Sequence, residues 1–146
     1  MATSSALDTL IELASKETDE AAKRLGRAIR NGEDAEQKLQ LLFQYRDDYM
    51  ERFHRNLQSG LSASGYRNFQ LFLDKLDEAI KGQQRVVQDA QQRVSRERGS
   101  WQSCERKRMS YDTLATRAQK VQQLKETRRE QKQTDEFAAR QLFYKR

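Results

Sequence analysis

The stretch Tyr66–Arg117, YRNFQLFLDKLDEAIKGQQRVVQDAQQRVSRERGSWQSCERKRMSYDTLATR, decides the fold. Alternating steps of three and four along it land on Tyr66, Phe69, Leu73, Leu76, Ile80, Gln83, Val87, Ala90, Val94, Glu97, Trp101, Cys104, Arg108, Tyr111, Ala115 and, just beyond, Ala118. Most of these are apolar in a chain that is otherwise polar. The mean spacing is about 3.5 residues, the repeat of a left-handed coiled-coil seam. A strand would need alternation with period two, and none is sustained here. One long helix with a narrow apolar stripe needs a partner helix, and the sequence before it supplies one.

From Ala35 the stripe is dense: Leu39, Leu41, Leu42, Phe43, Tyr45, Tyr49, Met50, Phe53 and Leu57. The spacing puts Leu39, Phe43, Met50, Phe53 and Leu57 on one seam, with Arg46 as a polar break, and Leu42, Tyr45 and Tyr49 on a neighbouring face. Further upstream Leu7, Leu10, Ala14, Ala21, Leu25 and Ala28 make a seam of small residues. Ser4 or Ser5 is suited to cap this helix, with Asp8 in the capping-box position after Ser5. Gly26 and Gly32 each cost about 1 kcal/mol against alanine in a helix interior, so a weak or kinked section is expected near residues 26–33.

Between the two striped segments lies QSGLSASG, residues 58–65, with two glycines and three serines. Such a stretch stops one helix and starts another, and Ser62 or Ser64 is suited to cap the second. The expected fold is all-α: two long helices, about 5–57 and 66–143, in one elongated antiparallel coiled-coil hairpin. In a hairpin that turns near residue 61, Leu42, Tyr45 and Tyr49 fall opposite Phe72, Leu76 and Ala79. These surplus apolar residues either thicken the hairpin core or form an exposed patch that docks a partner. The first helix runs out of partner near residue 117. The second is therefore expected to overhang at its C-terminus through the basic stretch RAQKVQQLKETRREQKQT and then DEFAARQLFYKR.

Composition agrees with this reading. The 146 residues contain no proline, 34% are charged and mean hydropathy is −1.06. That polarity is too high for a compact core of this size, while the absence of proline permits long helices. The net charge is +6 and lopsided: Lys and Arg stand against Asp and Glu as 12 to 14 in residues 1–84 and as 16 to 8 in residues 85–146. No apolar run reaches the length of a membrane span, and the first residues lack a signal-peptide layout. With one cysteine, Cys104, a cytoplasmic, reducing setting is expected.

No enzyme chemistry is legible, and no cofactor is implied. His54 is the only histidine and no cysteine cluster accompanies it, which argues against zinc. Cys104 falls on the seam, where a small buried hydrophobe belongs. No glycine-rich phosphate loop occurs, and the carboxylates sit on helix exteriors beside lysine and arginine. The basic helix has the layout of a coil-linked nucleic-acid binder, but it lacks asparagine in its basic stretch and interleaved aromatic platforms. A generic coiled-coil oligomerisation module and a basic nucleic-acid-binding helix remain the alternatives.

The segments ALDTLIELASKETDEAAKRLG, KLQLLFQYRDDY, FQLFLDKLDEAI and DEFAARQ, in this order and spacing, resemble the flagellar export protein FliJ family. The likeness covers nearly the whole chain. It implies a non-enzymatic, stalk-like coiled coil of the flagellar type III export apparatus, on the cytoplasmic side of the inner membrane. The partners it implies are the hexameric export ATPase (FliI-like), whose ring assembly and activity the protein promotes, the membrane export gate (FlhA-like), and empty export chaperones. By resemblance, the gate contact maps to Leu42, Tyr45, Tyr49, Phe72, Leu76 and Ala79, flanked by Lys38 and Gln83. The ATPase contact maps to Leu7, Leu10, Leu13, Phe137 and Arg140 at the end that carries both termini.

Overall fold

The computed structural model describes residues 2–145, with side chains from Ser5 onward. It contains two helices, α1 (Ala2–Ser59) and α2 (Ala63–Tyr144). Among the described residues there is no strand. The chain divides into two compact units, one made of residues 19–102 and the other of residues 1–18 with 103–146.

Within the unit 19–102 the helices pair antiparallel. Arg46 meets Asp77 at 3.4 Å and Arg24 meets Glu97 at 3.5 Å, each pair roughly equidistant from the turn. Gln83 reaches across the seam and donates from Nε2 to the Ala35 carbonyl at 2.9 Å. The core is thin. It consists of Ala21, Ala28 and Ala35 from α1 and Leu76, Ile80 and Val87 from α2. Alanine recurs every seventh residue on α1, opposite larger side chains on α2, so small residues of one helix receive the knobs of the other. In the unit formed by the chain ends, Ala14 and Thr18 are buried. The Thr18 hydroxyl donates to the Ala14 carbonyl at 2.8 Å, which satisfies the one buried polar side chain of that seam. Lys107 and Glu17 pair there at 3.8 Å.

The turn is shorter than the Ser/Gly-rich stretch suggested. Gly60 adopts φ +89°, the left-handed conformation that ends a helix at low cost for glycine. Its N–H donates to the Leu57 carbonyl at 3.4 Å. Ser62 Oγ accepts the Gly65 N–H at 3.1 Å and so caps α2. Three residues, Gly60 to Ser62, thus complete the reversal, and Ser59, Ser64 and Gly65 are helical.

Two local expectations change. Helix α1 begins at Ala2, so Ser5 lies inside it, and its carbonyl accepts from Thr9 Oγ1 at 3.0 Å. The Ser4 side chain lies outside the described residues. The helix also runs unbroken through residues 26–33. Gly32 there is a seam residue: a Cβ on it would lie 3.9 Å from Val94 Cγ2 and 4.0 Å from Ala90 Cβ.

Candidate partner-binding surfaces

The hairpin near the turn is built from aromatic side chains. Tyr49 stacks on Phe72 with centroids 4.3 Å apart and on Phe69 at 4.9 Å. Phe53 packs on Phe69 at 5.1 Å and on Tyr66 at 5.6 Å. Leu42 and Tyr49 fall on the same heptad position as the alanines, so they belong to the seam and are half-buried. Phe43 and Met50, one residue further on, are half-buried too. Burial pushes the Tyr49 hydroxyl pKa up, because the phenolate loses hydration among these rings.

The eight residues mapped to the gate contact therefore divide by environment. Tyr45 is 63% exposed and Phe72 49% exposed, and Ala79 and Lys38 are also exposed. Leu42 and Tyr49 are half-buried, and Leu76 is buried at 8%. Gln83 is half-buried, with its amide committed to Ala35. What a partner meets is thus a strip along one flank of the seam. Tyr45 stands on α1 one turn before Tyr49, and Phe72 and Ala79 stand on α2 seven residues apart. Val86, the next residue on that spacing, is also exposed. The sequence reading omitted it, although the Phe72, Ala79, Val86 repeat was there to be counted.

The residues mapped to the ATPase contact all lie in the unit formed by the chain ends. Leu7 is half-buried, while Leu10 and Leu13 are 45% and 54% exposed. Leu10 is therefore off the seam, and Ile11 takes its place. Phe137 and Arg140 stand on a stretch of α2, residues 116–144, in which every residue is exposed. That stretch also presents Val121, Leu124, Leu142, Phe143 and Tyr144. Just before it, Arg108 occupies a seam position and bonds Glu105 through Nη2 and Asp112 through Nη1, the latter at 3.2 Å. The hydrogen bond from Arg108 holds the Glu105 carboxyl below the usual carboxylate range.

Among the described residues no group of three His, Cys, Asp or Glu is placed to hold a metal ion. His54 is exposed, and Cys104 is half-buried on the seam. No helix among the described residues is long and apolar enough to cross a membrane.

The fold is thus an all-α coiled-coil hairpin that exposes aromatic side chains along its helices. The family model described as "Flagellar FliJ protein" matches residues 3–146. The "Flagellar FliJ protein" of Salmonella typhi is 32% identical over 145 residues, covering 99% of both chains. That of Escherichia coli (strain K12) is likewise 32% identical over 145 residues, with the same coverage. The chain belongs to the flagellar FliJ family and is a component of the flagellar export apparatus.

Proposed function

We propose that the chain is a non-catalytic link between the export ATPase and the export gate. The unit formed by the chain ends engages the ATPase through Leu7, Leu10, Leu13, Phe137 and Arg140. The aromatic strip beside the turn, Tyr45 with Phe72 and Ala79, engages the gate at the cytoplasmic side of the inner membrane. Leu42, Tyr49 and Leu76 act beneath the strip, fixing the rings on which it rests, with Lys38 and Gln83 flanking it. Empty export chaperones are the third class of partner.

The observation that carries this reading is the exposure of Tyr45 and Phe72 beside a packed Tyr49. An amphipathic ring at 63% exposure contributes little to the fold, yet supplies the rigid anchor that protein interfaces favour. The test has two arms. Tyr45→Ala with Phe72→Ala should abolish binding to the gate's cytoplasmic domain while helix content and ATPase stimulation persist. Truncation after Thr134 should remove ATPase stimulation while gate binding persists. A full-length, helical chain that leaves turnover unchanged refutes the ATPase role, and undiminished gate binding by the double variant refutes the aromatic strip.

A further inference from the structure

The exposed surfaces carry two opposite charge fields that the export roles above do not use. The first lies on α1. At about 100° per residue, Glu33, Asp34, Asp47, Asp48 and Glu51 fall on the face away from the seam, with Glu36 on the seam's flank. All six are exposed. Over residues 33–51 only Lys38 and Arg46 oppose them, leaving a net charge of −4. At the centre is Leu41, 52% exposed, beside Glu33, Glu36 and three glutamines. Arg30 and Arg55 border this face at its two ends. Arg55 pairs with Glu51 at 2.8 Å, and Glu36 accepts from the uncharged Gln91 amide at 3.5 Å.

The second field lies on the exposed stretch of α2. Residues 117–132 carry Arg117, Lys120, Lys125, Arg128, Arg129 and Lys132 against Glu126 and Glu130, a net of +4. Arg117, Lys125, Arg128 and Lys132 share a flank with the exposed Val121 and Leu124, and both glutamates fall on the other side. No ion pair among the described residues engages these cations. The two strips match in length, about 27 Å for residues 33–51 and about 22 Å for 117–132 at 1.5 Å per residue. Each places apolar side chains among charges of one sign.

We infer that the basic strip of one copy docks on the acidic α1 face of a second copy, with Val121 and Leu124 against Leu41. Pairing two basic strips instead would set +4 against +4, so the charges select the unlike pair. The contact is heterologous, with each copy offering one donor and one acceptor surface. It propagates to further copies unless the geometry closes a ring. Exposed ion pairs are weak and screened within about 8 Å at physiological salt, so the association is shallow and salt-sensitive.

The test is sedimentation equilibrium of the full chain. At about 20 mM salt the weight-average mass should rise at least about twofold above the 17.2 kDa monomer as concentration increases. At about 0.5 M salt it should return to monomer mass. Arg128→Glu with Arg129→Glu and Lys132→Glu should stay monomeric alone. So should Asp34→Lys with Asp47→Lys and Asp48→Lys. An equimolar mixture of the two variants should associate again, because both contacts are then between unlike charges. A chain at monomer mass in low salt overturns the proposal. Association that persists in both variants, or fails to return on mixing, also overturns it. Binding of the basic strip to duplex DNA or anionic phospholipid vesicles under conditions where the chain stays monomeric would assign that strip to a phosphate surface instead.

Discussion

Gly32→Ala should stabilise the protein, and by more than Gly26→Ala. Both glycines sit inside α1, where alanine is favoured by about 1 kcal/mol because the unfolded chain loses less entropy on becoming helical. At Gly26 the new methyl group meets nothing within 4 Å, so propensity alone acts. At Gly32 it lands 3.9 Å from Val94 Cγ2 and 4.0 Å from Ala90 Cβ, which is ordinary van der Waals contact without compression. Burying one methyl adds up to about 0.8 kcal/mol. The expected gains are thus about 1 kcal/mol for Gly26→Ala and about 1.5–2 kcal/mol for Gly32→Ala, or a few degrees of melting temperature per kcal/mol. Thermal unfolding followed by far-UV circular dichroism ranks the two variants. If Gly32→Ala proves no more stable than Gly26→Ala, the added methyl gains no contact with Val94 and Ala90, and the seam assignment of Gly32 fails.

Leu76→Ala should cost about 2–5 kcal/mol, as expected for a buried leucine in a core with no spare side chains. Denaturant unfolding should show that loss, whereas Tyr45→Ala should change stability by less than about 0.5 kcal/mol. Gly60→Ala should destabilise by about 1 kcal/mol, since φ +89° is strained for any side chain. Ser62→Ala should cost about 1 kcal/mol through loss of the cap on Gly65, seen in the same unfolding experiment. The Glu105 carboxyl is held below its ordinary pKa by Arg108, so its contribution to stability is present above the unfolded-state pKa and is lost as pH falls through the lower folded value. The melting-temperature gap between the parent chain and Glu105→Gln should therefore close as pH drops through the acidic range. A gap that stays constant would show that the pair contributes no pH-dependent stability.

The second helix was legible because its seam is spelled in large side chains. From Phe69 to Ala115, each position reached by alternating threes and fours is buried or half-buried, including the polar Gln83, Glu97 and Arg108. The first helix spells its seam in small residues, of which the alanines were legible. Ala14, Ala21, Ala28 and Ala35 recur every seven, and Leu7, Leu42 and Tyr49 continue the same series. Thr18, Leu25, Gly32 and Leu39 form the other series, into which Ile11 and Phe53 fall. Reading by hydrophobicity misses Thr18 and Gly32, whose burial comes from being small enough for the opposing helix to approach. The same reading favours Leu10 and Leu13, which are large and exposed.

Near the turn the difficulty is the reverse. Leu42 and Phe43, and likewise Tyr49 and Met50, are neighbouring apolar residues, so two stripes one residue apart compete. The sequence of α1 alone does not choose between them, because both of each pair end half-buried. The path of α2 decides it, by setting Phe69 and Phe72 against Tyr49. This outcome narrows what a partner of the strip recognises. Tyr49 and Leu76 are held by the hairpin, so removing them changes the fold and the surface together. Tyr45 and Phe72 expose much of their rings, so a binding defect from their truncation with helicity intact reads out recognition itself. A variant series that loses gate binding in the order of burial, with Leu76→Ala strongest and Tyr45→Ala without effect, would show that partners sense only the integrity of the hairpin. The opposite order, with Tyr45→Ala strongest at unchanged stability, would establish the strip as the contact.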